Sequence, residues 1–516
     1  MIRDRYAPSP TGLQHVGGIR TALFNYLFAR STGGTFILRL EDTDRARFDE
    51  SFVKNLYDTF CWLRIHWDEG PDTGGPRAPY IQSQRTDLYR KYAEELLEKG
   101  GAYRCFCSAE RLERVRADRE AEKSSQTGYD RHCRNISAEE SAKRAADGEV
   151  FTIRLKIPLG EAINASSPAA VPVTRFTDRL LGDIEWKNSD ISPDPVLLKS
   201  DGFPTYHLAN IVDDHLMGIS HVLRAQEWLS STPLHIILYA AFGWGPPEFC
   251  HLPMVMGQDG KKLSKRHGAT SIDEFRRQGY LAEALINYIA LLGCSYEEGK
   301  DIYTLEDLEK QFSLDKLNKA PAVFDYKKLE WYNGQYIRMK DDGELARLAL
   351  PFAVEQGLFG KTGTGNSEPN AEQLALFTAA MGLVRERAVL LGEIPSKLGY
   401  VFSEPGVPAP EEFIPKKADL EAARRLLRAG RELVPALSAG SDETAEAAAK
   451  AKAGQEEIKI GDLLMPLRVA VTGARVSPPL FGSLRLLGAQ KCLARIDRAL
   501  EALDKAAEQG NADLCE

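Results

Sequence analysis

No run of apolar residues in this 516-residue chain approaches the roughly 20 that cross a bilayer. The N-terminus carries no basic-then-apolar leader. Cysteine is sparse, and its eight positions (61, 105, 107, 133, 250, 294, 492 and 515) do not form the pattern of a secreted disulfide framework. These absences together place the expected compartment in the cytoplasm and give no membrane partner. Positive charge is not in excess either. A formal net charge of −8 argues against a chain coated by nucleic acid, although a local basic face would still suffice to bind it. No long internal repeat is present, and the Gly-x-Gly-x-x-Gly fingerprint of dinucleotide loops is missing.

What is present fits a soluble globular protein, with 43% hydrophobic and 27% charged residues. The length allows roughly three to five domains. The most informative stretch is Arg5-Tyr-Ala-Pro-Ser-Pro-Thr-Gly-Leu-Gln-His-Val-Gly-Gly18. It reads as a strand end, a proline-held turn and a glycine step into a helix. Ile19, Leu23, Tyr26, Leu27 and Arg30 keep helical spacing through Ser31, Gly33-Gly34 stops the helix, and Thr35–Leu40 reads as a second strand. A loop at the positive end of a helix dipole is suited to phosphate, and His15 can join the exposed N–H groups there. A Pro/Gly loop between a strand and a helix also occurs with no ligand at all.

Downstream, Glu41-Asp-Thr-Asp-Arg45 is a polar cluster at the carboxyl end of the second strand, where open parallel sheets bind ligands. Helices are expected over 49–63 and from Thr86 to about Lys99. From Tyr103 the character changes: Cys105-Phe-Cys107 opens a charged helical stretch, followed by Tyr129-Asp-Arg-His-Cys133 and strands over 150–156 and 171–186, with a loop over 164–172. Residues 103–199 therefore read as an insertion, with the parallel sheet resuming at Val196. Beyond Gly268 the chain reads as helical, broken by polar loops at 361–370 and 438–454. The alanine-rich 444–452 fits either a solvated helix or a mobile linker. Arg424, Arg428 and Arg431 share one helical face, and Arg385 and Arg387 form a separate basic segment. Such stripes are usually solvated faces.

Lys262-Leu-Ser-Lys-Arg266 follows a short apolar strand over 252–256. Two lysines and an arginine on a loop suit phosphate charge that develops during transfer. Five residues alone favour an ordinary basic surface loop. Together, the His-x-Gly-Gly loop and the Lys-Leu-Ser-Lys-Arg loop resemble the two signatures of class I aminoacyl-tRNA synthetases. Arg5–Gly12, Leu40-Glu-Asp-Thr-Asp44, Asp201-Gly-Phe-Pro-Thr-Tyr-His-Leu-Ala-Asn210 and Arg224-Ala-Gln-Glu-Trp228 narrow this to a resemblance to bacterial-type glutamyl-tRNA synthetases. The likeness runs the length of the chain, ending with Leu463-Leu-Met-Pro-Leu-Arg468 and Pro478-Pro-Leu-Phe481.

The resemblance implies an α/β fold: a Rossmann-type parallel-sheet catalytic domain (1–102 and 200–260) with an α+β insertion (103–199) that binds the tRNA acceptor end. A stem-contact helical domain (261–345) and two anticodon-binding helical domains (346–410 and 411–516) would complete an all-helical C-terminal half. It implies that Arg5, Ala7, Ser9, Glu41, Tyr206, Asn210 and Arg224 hold glutamate, the arginine forks matching its carboxylates. ATP with Mg2+ would lie among His15, Gly17, Gly18, Glu227 and Lys262, Leu263, Ser264, Lys265 and Arg266, with His15, Lys262 and Lys265 supporting the reacting phosphate. No residue stands out as a dedicated general base, and in this family tRNA usually has to bind before activation.

The family's zinc-bearing members often show Cys-x-Cys, then Cys-x-His. Here Cys105, Cys107 and Cys133 are in place, but Asn135 replaces the histidine. Tyr129 is the expected fourth ligand and His132 the alternative, while three free cysteines without metal is the remaining reading. Partners implied are tRNA(Glu), glutamate and ATP, acting on a monomer, with charging of tRNA(Gln) left open. A glutaminyl enzyme would carry β-barrel anticodon domains. The short relative that glutamylates a modified tRNA base, and a small nucleotidyltransferase, would lack this back half. A non-enzymatic tRNA-binding paralogue would be expected to have lost a signature.

Overall fold

The computed structural model describes residues 1–44, 46–121, 128–160, 172–362 and 365–512. The chain packs as two compact units: residues 1–275 with 285–326, and residues 276–284 with those from 327 onward.

The first unit opens with β1 (Arg3–Tyr6), α1 (Val16–Thr32) and β2 (Thr35–Leu38), the strands parallel with Arg3 opposite Thr35. Leu23, Phe24 and Leu27 of α1 are fully buried. Gly33 ends the helix in the left-handed region (φ 63°), and its N–H reaches the carbonyls of Ala29 and Arg30, a conformation that glycine adopts without a Cβ penalty. Helix α2 (Glu50–Trp62) starts at Asp49, whose carboxylate accepts the Ser51 N–H at 2.8 Å. A 3-10 turn, Gln82–Arg85, leads into α3 (Thr86–Glu98).

The middle of the chain supplies β3 (Ala102–Cys105), α4 (Ala109–Ala121), α5 (Ala138–Ala146), β4 (Thr152–Leu155), β5 (Val173–Asp178), β6 (Gly182–Lys187) and β7 (Val196–Leu198). Then come α6 (Tyr206–Leu216), β8 (His221–Ala225), α7 (Thr232–Phe242), β9 (Glu248–Leu252) and β10 (Val255–Met256). Strands β8 and β9 are parallel, with Arg224 opposite His251. The Ser220 N–H donates to the Arg3 carbonyl at 2.9 Å, which sets β1 beside β8. Ile37, Tyr89, Leu208, Val222, Leu238 and Phe249 belong to one core between sheet and helices.

Two features differ from the sequence reading. The parallel sheet does not resume at Val196: β7 joins β4 and β3 in an antiparallel sheet. Buried Asp194 is the reason. Its carboxylate takes the Tyr103 hydroxyl (2.9 Å), Arg134 (2.7 Å) and the Ile157 N–H (3.1 Å), drawing the chain alongside β4. The β5–β6 hairpin lies within the stretch read as an insertion, yet it extends the other sheet through Asp178 opposite Phe249, giving the order β6-β5-β9-β8. The loop expected over 164–172 lies, up to residue 171, outside the described residues.

The second unit is helical. Its helices include Asp342–Glu355, Ala371–Val384, Ile394–Phe402, Leu420–Ala439, Asp442–Gln455, Ile460–Thr472, Leu480–Leu487 and Ala489–Ala512, with one two-rung hairpin, Lys361–Thr362 against Gly365–Asn366. The alanine-rich segment is a helix rather than a linker, with one face exposed and the other packed. Ala445, Ala449 and Ala453 form a buried stripe at four-residue spacing on Asp442–Gln455, small enough for close helix packing. The arginine stripe is paired internally: Arg424 and Arg428 meet Asp504 (2.6 and 3.1 Å) and Arg431 meets Asp497 (2.5 Å), tying Leu420–Ala439 to Ala489–Ala512. Among the described residues no helix is long and apolar enough to cross a membrane.

Asp4 on β1 is an outlier in this core. It is 0% exposed, both carboxylate oxygens lack a hydrogen-bond partner among the described residues, and burial raises its pKa well above the carboxylate range. The folded chain therefore keeps a proton that the unfolded chain releases above pH of about 4, so this site costs more stability as pH rises through that point. Asp4→Asn is expected to raise Tm at pH 7.5 by clearly more than at pH 4.5. A Tm difference that does not change with pH would contradict the assignment.

Candidate active site

The first signature loop is fastened at both ends. The Arg39 N–H donates to the Tyr6 carbonyl and the Glu41 N–H to the Pro8 carbonyl, each at 3.0 Å. Ala7 is half-buried and Ser9 exposed on the turn. His15 caps α1, its Nδ1 accepting the Gly18 N–H at 3.2 Å. A β-carbon on Gly18 would lie 3.0 Å from the Tyr6 hydroxyl, so this turn needs glycine for close approach. The open side of His15 is exposed, while the packing behind it desolvates the ring. That desolvation, followed by the nearby Lys262 cation, lowers its pKa from the usual imidazole value.

The second signature loop is hung on β10: the Leu263 N–H reaches the Val255 carbonyl at 3.0 Å. Lys262 pairs with Glu227 across exposed surface. His267 accepts the Ser264 N–H and meets Asp259, both at 3.0 Å. Arg266 is exposed, with Nε donating to the Ser264 hydroxyl at 3.3 Å. Lys265 begins the short turn Lys265–His267, and its side chain lies outside the described residues, as does Arg45. Immediately beyond, the Val16 N–H donates to the Thr270 carbonyl (3.1 Å) and the Ile272 N–H to the Gln14 carbonyl (3.0 Å). Two motifs some 250 positions apart in sequence are thus joined backbone to backbone.

Behind the first loop lies a buried ionic network. Arg5 is gripped by Asp214 through Nε (3.0 Å) and Nη2 (3.1 Å), with Asn210 at 3.3 Å. Its Nη1 has no protein partner among the described residues. Arg39 reaches Asp214 (2.7 Å), Asn210 (2.9 Å) and Glu41 (3.0 Å). Asp213 takes Arg85 (2.6 Å), the Tyr89 hydroxyl (2.8 Å) and Gln82 (3.0 Å), and its Oδ2 lies 3.9 Å from Arg39 Nε. Burial raises the pKa of Glu41 despite Arg39, whereas against that same burial Arg5 and Arg39 hold Asp214 below its ordinary value.

Arg224 is buried differently. At 5% exposure it has no carboxylate within salt-bridge reach among the described residues. Its partners are His251 Nε2 (3.0 Å), the Tyr206 hydroxyl (3.2 Å), His235 Nδ1 (3.3 Å), the Thr232 hydroxyl (2.9 Å) and the Trp228 carbonyl (3.3 Å). Tyr206 packs against Trp228 with ring centroids 4.6 Å apart and the rings tilted by 38°. Burial first, and nearby Arg5, lower the Arg224 pKa.

The structure brings Arg5, Glu41 and Asn210 into one network and places Tyr206 on Arg224. Arg39, Asp213 and Asp214 were missed in the sequence. The signal there was a pair of adjacent aspartates following the apolar Ile211-Val212 near the end of the helix Tyr206–Leu216.

In the inserted stretch, the Cys105, Cys107 and Cys133 sulfurs lie within 4.8 Å of one another. The Tyr129 hydroxyl is 3.3 Å from Cys105 Sγ and 3.8 Å from Cys107 Sγ. Tetrahedral zinc with Zn–S of about 2.3 Å sets ligand–ligand edges of about 3.8 Å, so the four donors are compatible with that ion. His132 is exposed, and its side chain forms no part of the cluster.

A family model described as "tRNA synthetases class I (E and Q), catalytic domain" matches residues 1–331, and one described as "Anticodon binding domain" matches 344–500. The chain belongs to the class I tRNA synthetases of this glutamate and glutamine branch. It is similar to the glutamate–tRNA ligase of Treponema denticola, 56% identical over 97% of this chain and 99% of the relative. The glutamate–tRNA ligase of Borrelia recurrentis is 50% identical over 98% and 96%. Among solved structures, a glutamate tRNA ligase from Elizabethkingia meningosepticum, crystallised in complex with its amino acid, superposes with a TM-score of 0.81 at 33% identity, covering 97% of this chain and 99% of that one.

Asp214 holds two buried arginines at once. Removing its charge leaves Arg5 without a carboxylate, while Arg39 keeps Glu41 at 3.0 Å, so Asp214→Asn should lose about 3–5 kcal/mol of stability. Urea unfolding measures this. A loss below about 1 kcal/mol, the range of exposed pairs, would mean that the network is not held by Asp214.

Proposed function

We propose that the chain is a glutamate–tRNA ligase, which activates L-glutamate with ATP and then passes the glutamyl group to the 2′-hydroxyl of the terminal adenosine of tRNA(Glu). The observation that carries the substrate choice is Arg224, a buried cation whose hydrogen-bond partners among the described residues are uncharged acceptors. A ligand carboxylate supplies the missing counter-charge, and a neutral amide does not. The Tyr206 hydroxyl accepts from Arg224, so its own proton is free to donate to the same carboxylate.

The α-carboxylate of the amino acid must stay free to attack ATP, so the side-chain carboxylate is the one that Arg224 takes, with the open Nη1 of Arg5 in support. Glu41 receives the ammonium group, while Asn210, Ala7 and Ser9 complete the pocket. In the first step a carboxylate oxygen bonds to the α-phosphorus, the bond to the bridging oxygen breaks and pyrophosphate leaves. Because His15 Nδ1 is the cap acceptor and the ring is neutral, its proton sits on Nε2, positioned to donate to phosphate. Gly17 and Gly18 offer N–H groups at the helix N-terminus. Lys262, released from Glu227, and Lys265, Ser264 and Arg266 support the charge that grows on the phosphates. Mg2+ comes with ATP, held largely by phosphates and water.

Residues 103–199 meet the acceptor end, 261–345 the stem, and 346–410 with 411–516 the anticodon. The enzyme works as a monomer in the cytoplasm, where its substrates are. Cys105, Cys107, Cys133 and Tyr129 would hold one zinc, whose part is to cross-link the end of β3 to the segment 129–133.

The test is aminoacylation of purified tRNA(Glu) and tRNA(Gln), each with glutamate and with glutamine. Glutamyl-tRNA(Glu) is expected, and the tRNA(Gln) arm decides whether that tRNA is charged too. Charging with glutamine but not glutamate would overturn the reading. For the metal, elemental analysis should give about one zinc per chain, reduced in Cys105→Ser. Full occupancy in Tyr129→Phe would remove the tyrosine from the ligand set.

A further inference from the structure

Arg224 is flanked by two histidines whose tautomers follow from their partners, with the Thr232 hydroxyl also 3.0 Å from His251 Nε2. Asp178 Oδ1 takes the N–H groups of Leu180 (3.0 Å) and Leu181 (2.9 Å). Its Oδ2 takes the His251 backbone N–H (3.0 Å) and ring Nδ1 (2.6 Å). A carboxylate with four donors on it only accepts, so the His251 proton must sit on Nδ1. That leaves Nε2 as the lone pair that receives the Arg224 Nε–H at 3.0 Å. The other tautomer would set two N–H groups against each other, because arginine cannot accept. The opposite flank obeys the same logic. His235 Nδ1 must accept from Arg224, so its proton sits on Nε2 and is donated to His207 Nδ1 at 3.1 Å.

Asp178 comes from the β5–β6 hairpin, and it stands next to His251 because that hairpin docks on β9 through the Asp178–Phe249 pair. We propose that Asp178 and His251 are positioning residues for glutamate selection: they fix the guanidinium plane of Arg224, so that its fork faces the side-chain carboxylate. This rests on the reading of Arg224 as the carboxylate anchor. The hairpin then has a part in amino-acid recognition at a distance, without touching the substrate.

Two conservative changes at His251 separate positioning from packing. His251→Asn keeps a donor where Nδ1 faces Asp178 but offers nothing to Arg224. His251→Gln can place its amide oxygen where Nε2 accepts. In the full-length enzyme, His251→Asn is expected to raise KM for glutamate by about tenfold or more, the scale of one charge-assisted hydrogen bond, with kcat and KM for ATP within about twofold. His251→Gln should recover most of that loss, and thermal melts should show both variants folded. An unchanged KM for glutamate in His251→Asn, or equal losses in both variants, would overturn the proposal. Arg224→Leu is the control: if it raises KM while His251→Asn does not, only the positioning role falls. If Arg224→Leu itself leaves KM unchanged, the anchor reading falls instead.

Discussion

Asp213 and Asp214, adjacent on α6, are the interaction on which the first unit depends. Successive residues of a helix point about 100° apart, so two neighbouring carboxylates can serve two directions. Asp214 turns to Arg5 on β1 and Arg39 just beyond β2, while Asp213 turns to Arg85 and Tyr89 at the start of α3. Each of these ions, taken from water alone, would cost several kcal/mol. Held together by these ion pairs and hydrogen bonds, they lock β1, β2, α3 and α6 into one arrangement. Glu41 and Asn210 are fixed by the same arginines, so the proposed ammonium site is set by the same contacts that close the fold.

The two halves of the proposed site, one for the amino acid and one for the nucleotide, are built by different physical means. The amino-acid side uses buried side chains whose directions are determined by charge and desolvation. The nucleotide side uses backbone bonds between residues 14–16 and 270–272, with exposed His15, Lys262 and Arg266 around them. Asn55 reinforces that junction by accepting the Gln14 N–H at 3.0 Å and donating to Asp273 at 2.6 Å. The division suits the chemistry. A small zwitterion must be read by fixed charges, whereas a triphosphate that arrives and leaves needs cations still open to water.

Much of the fold was legible because its signals are local. The glycine pair after Thr32, the aspartate before α2 and the apolar spacing of α1 each act within a few residues. The partners that complete the site are not local: Arg5 meets Asp214 across 209 residues and Arg85 meets Asp213 across 128. Arg39 stands one position ahead of the Leu-Glu-Asp-Thr-Asp motif and looked like strand filler. The face of Arg424, Arg428 and Arg431 was read correctly, but its partners sit on another helix, where Asp497 and Asp504 are seven residues apart and so share a face. The alanine run left helix and linker both open for a related reason. Its composition resembles a linker, but small side chains at four-residue spacing let helices approach closely.

The chain solves the problem of a buried arginine in two ways, and the contrast bears on specificity. Arg5 and Arg39 are neutralised by carboxylates, as buried cations normally must be. Arg224 is given hydroxyls, a carbonyl and histidine lone pairs instead, and its depressed pKa shows the cost of that choice. A carboxylate bonded directly to Arg224 would be the more stable arrangement for the empty protein. It would also cancel the charge that distinguishes glutamate from glutamine, two ligands of nearly equal size. Asp178 is kept one residue away, behind His251, so that its negative charge orients the shell without neutralising the cation. On the proposed reading, the unfavourable burial of Arg224 is the source of the discrimination: the site is complete only when the ligand brings the missing carboxylate.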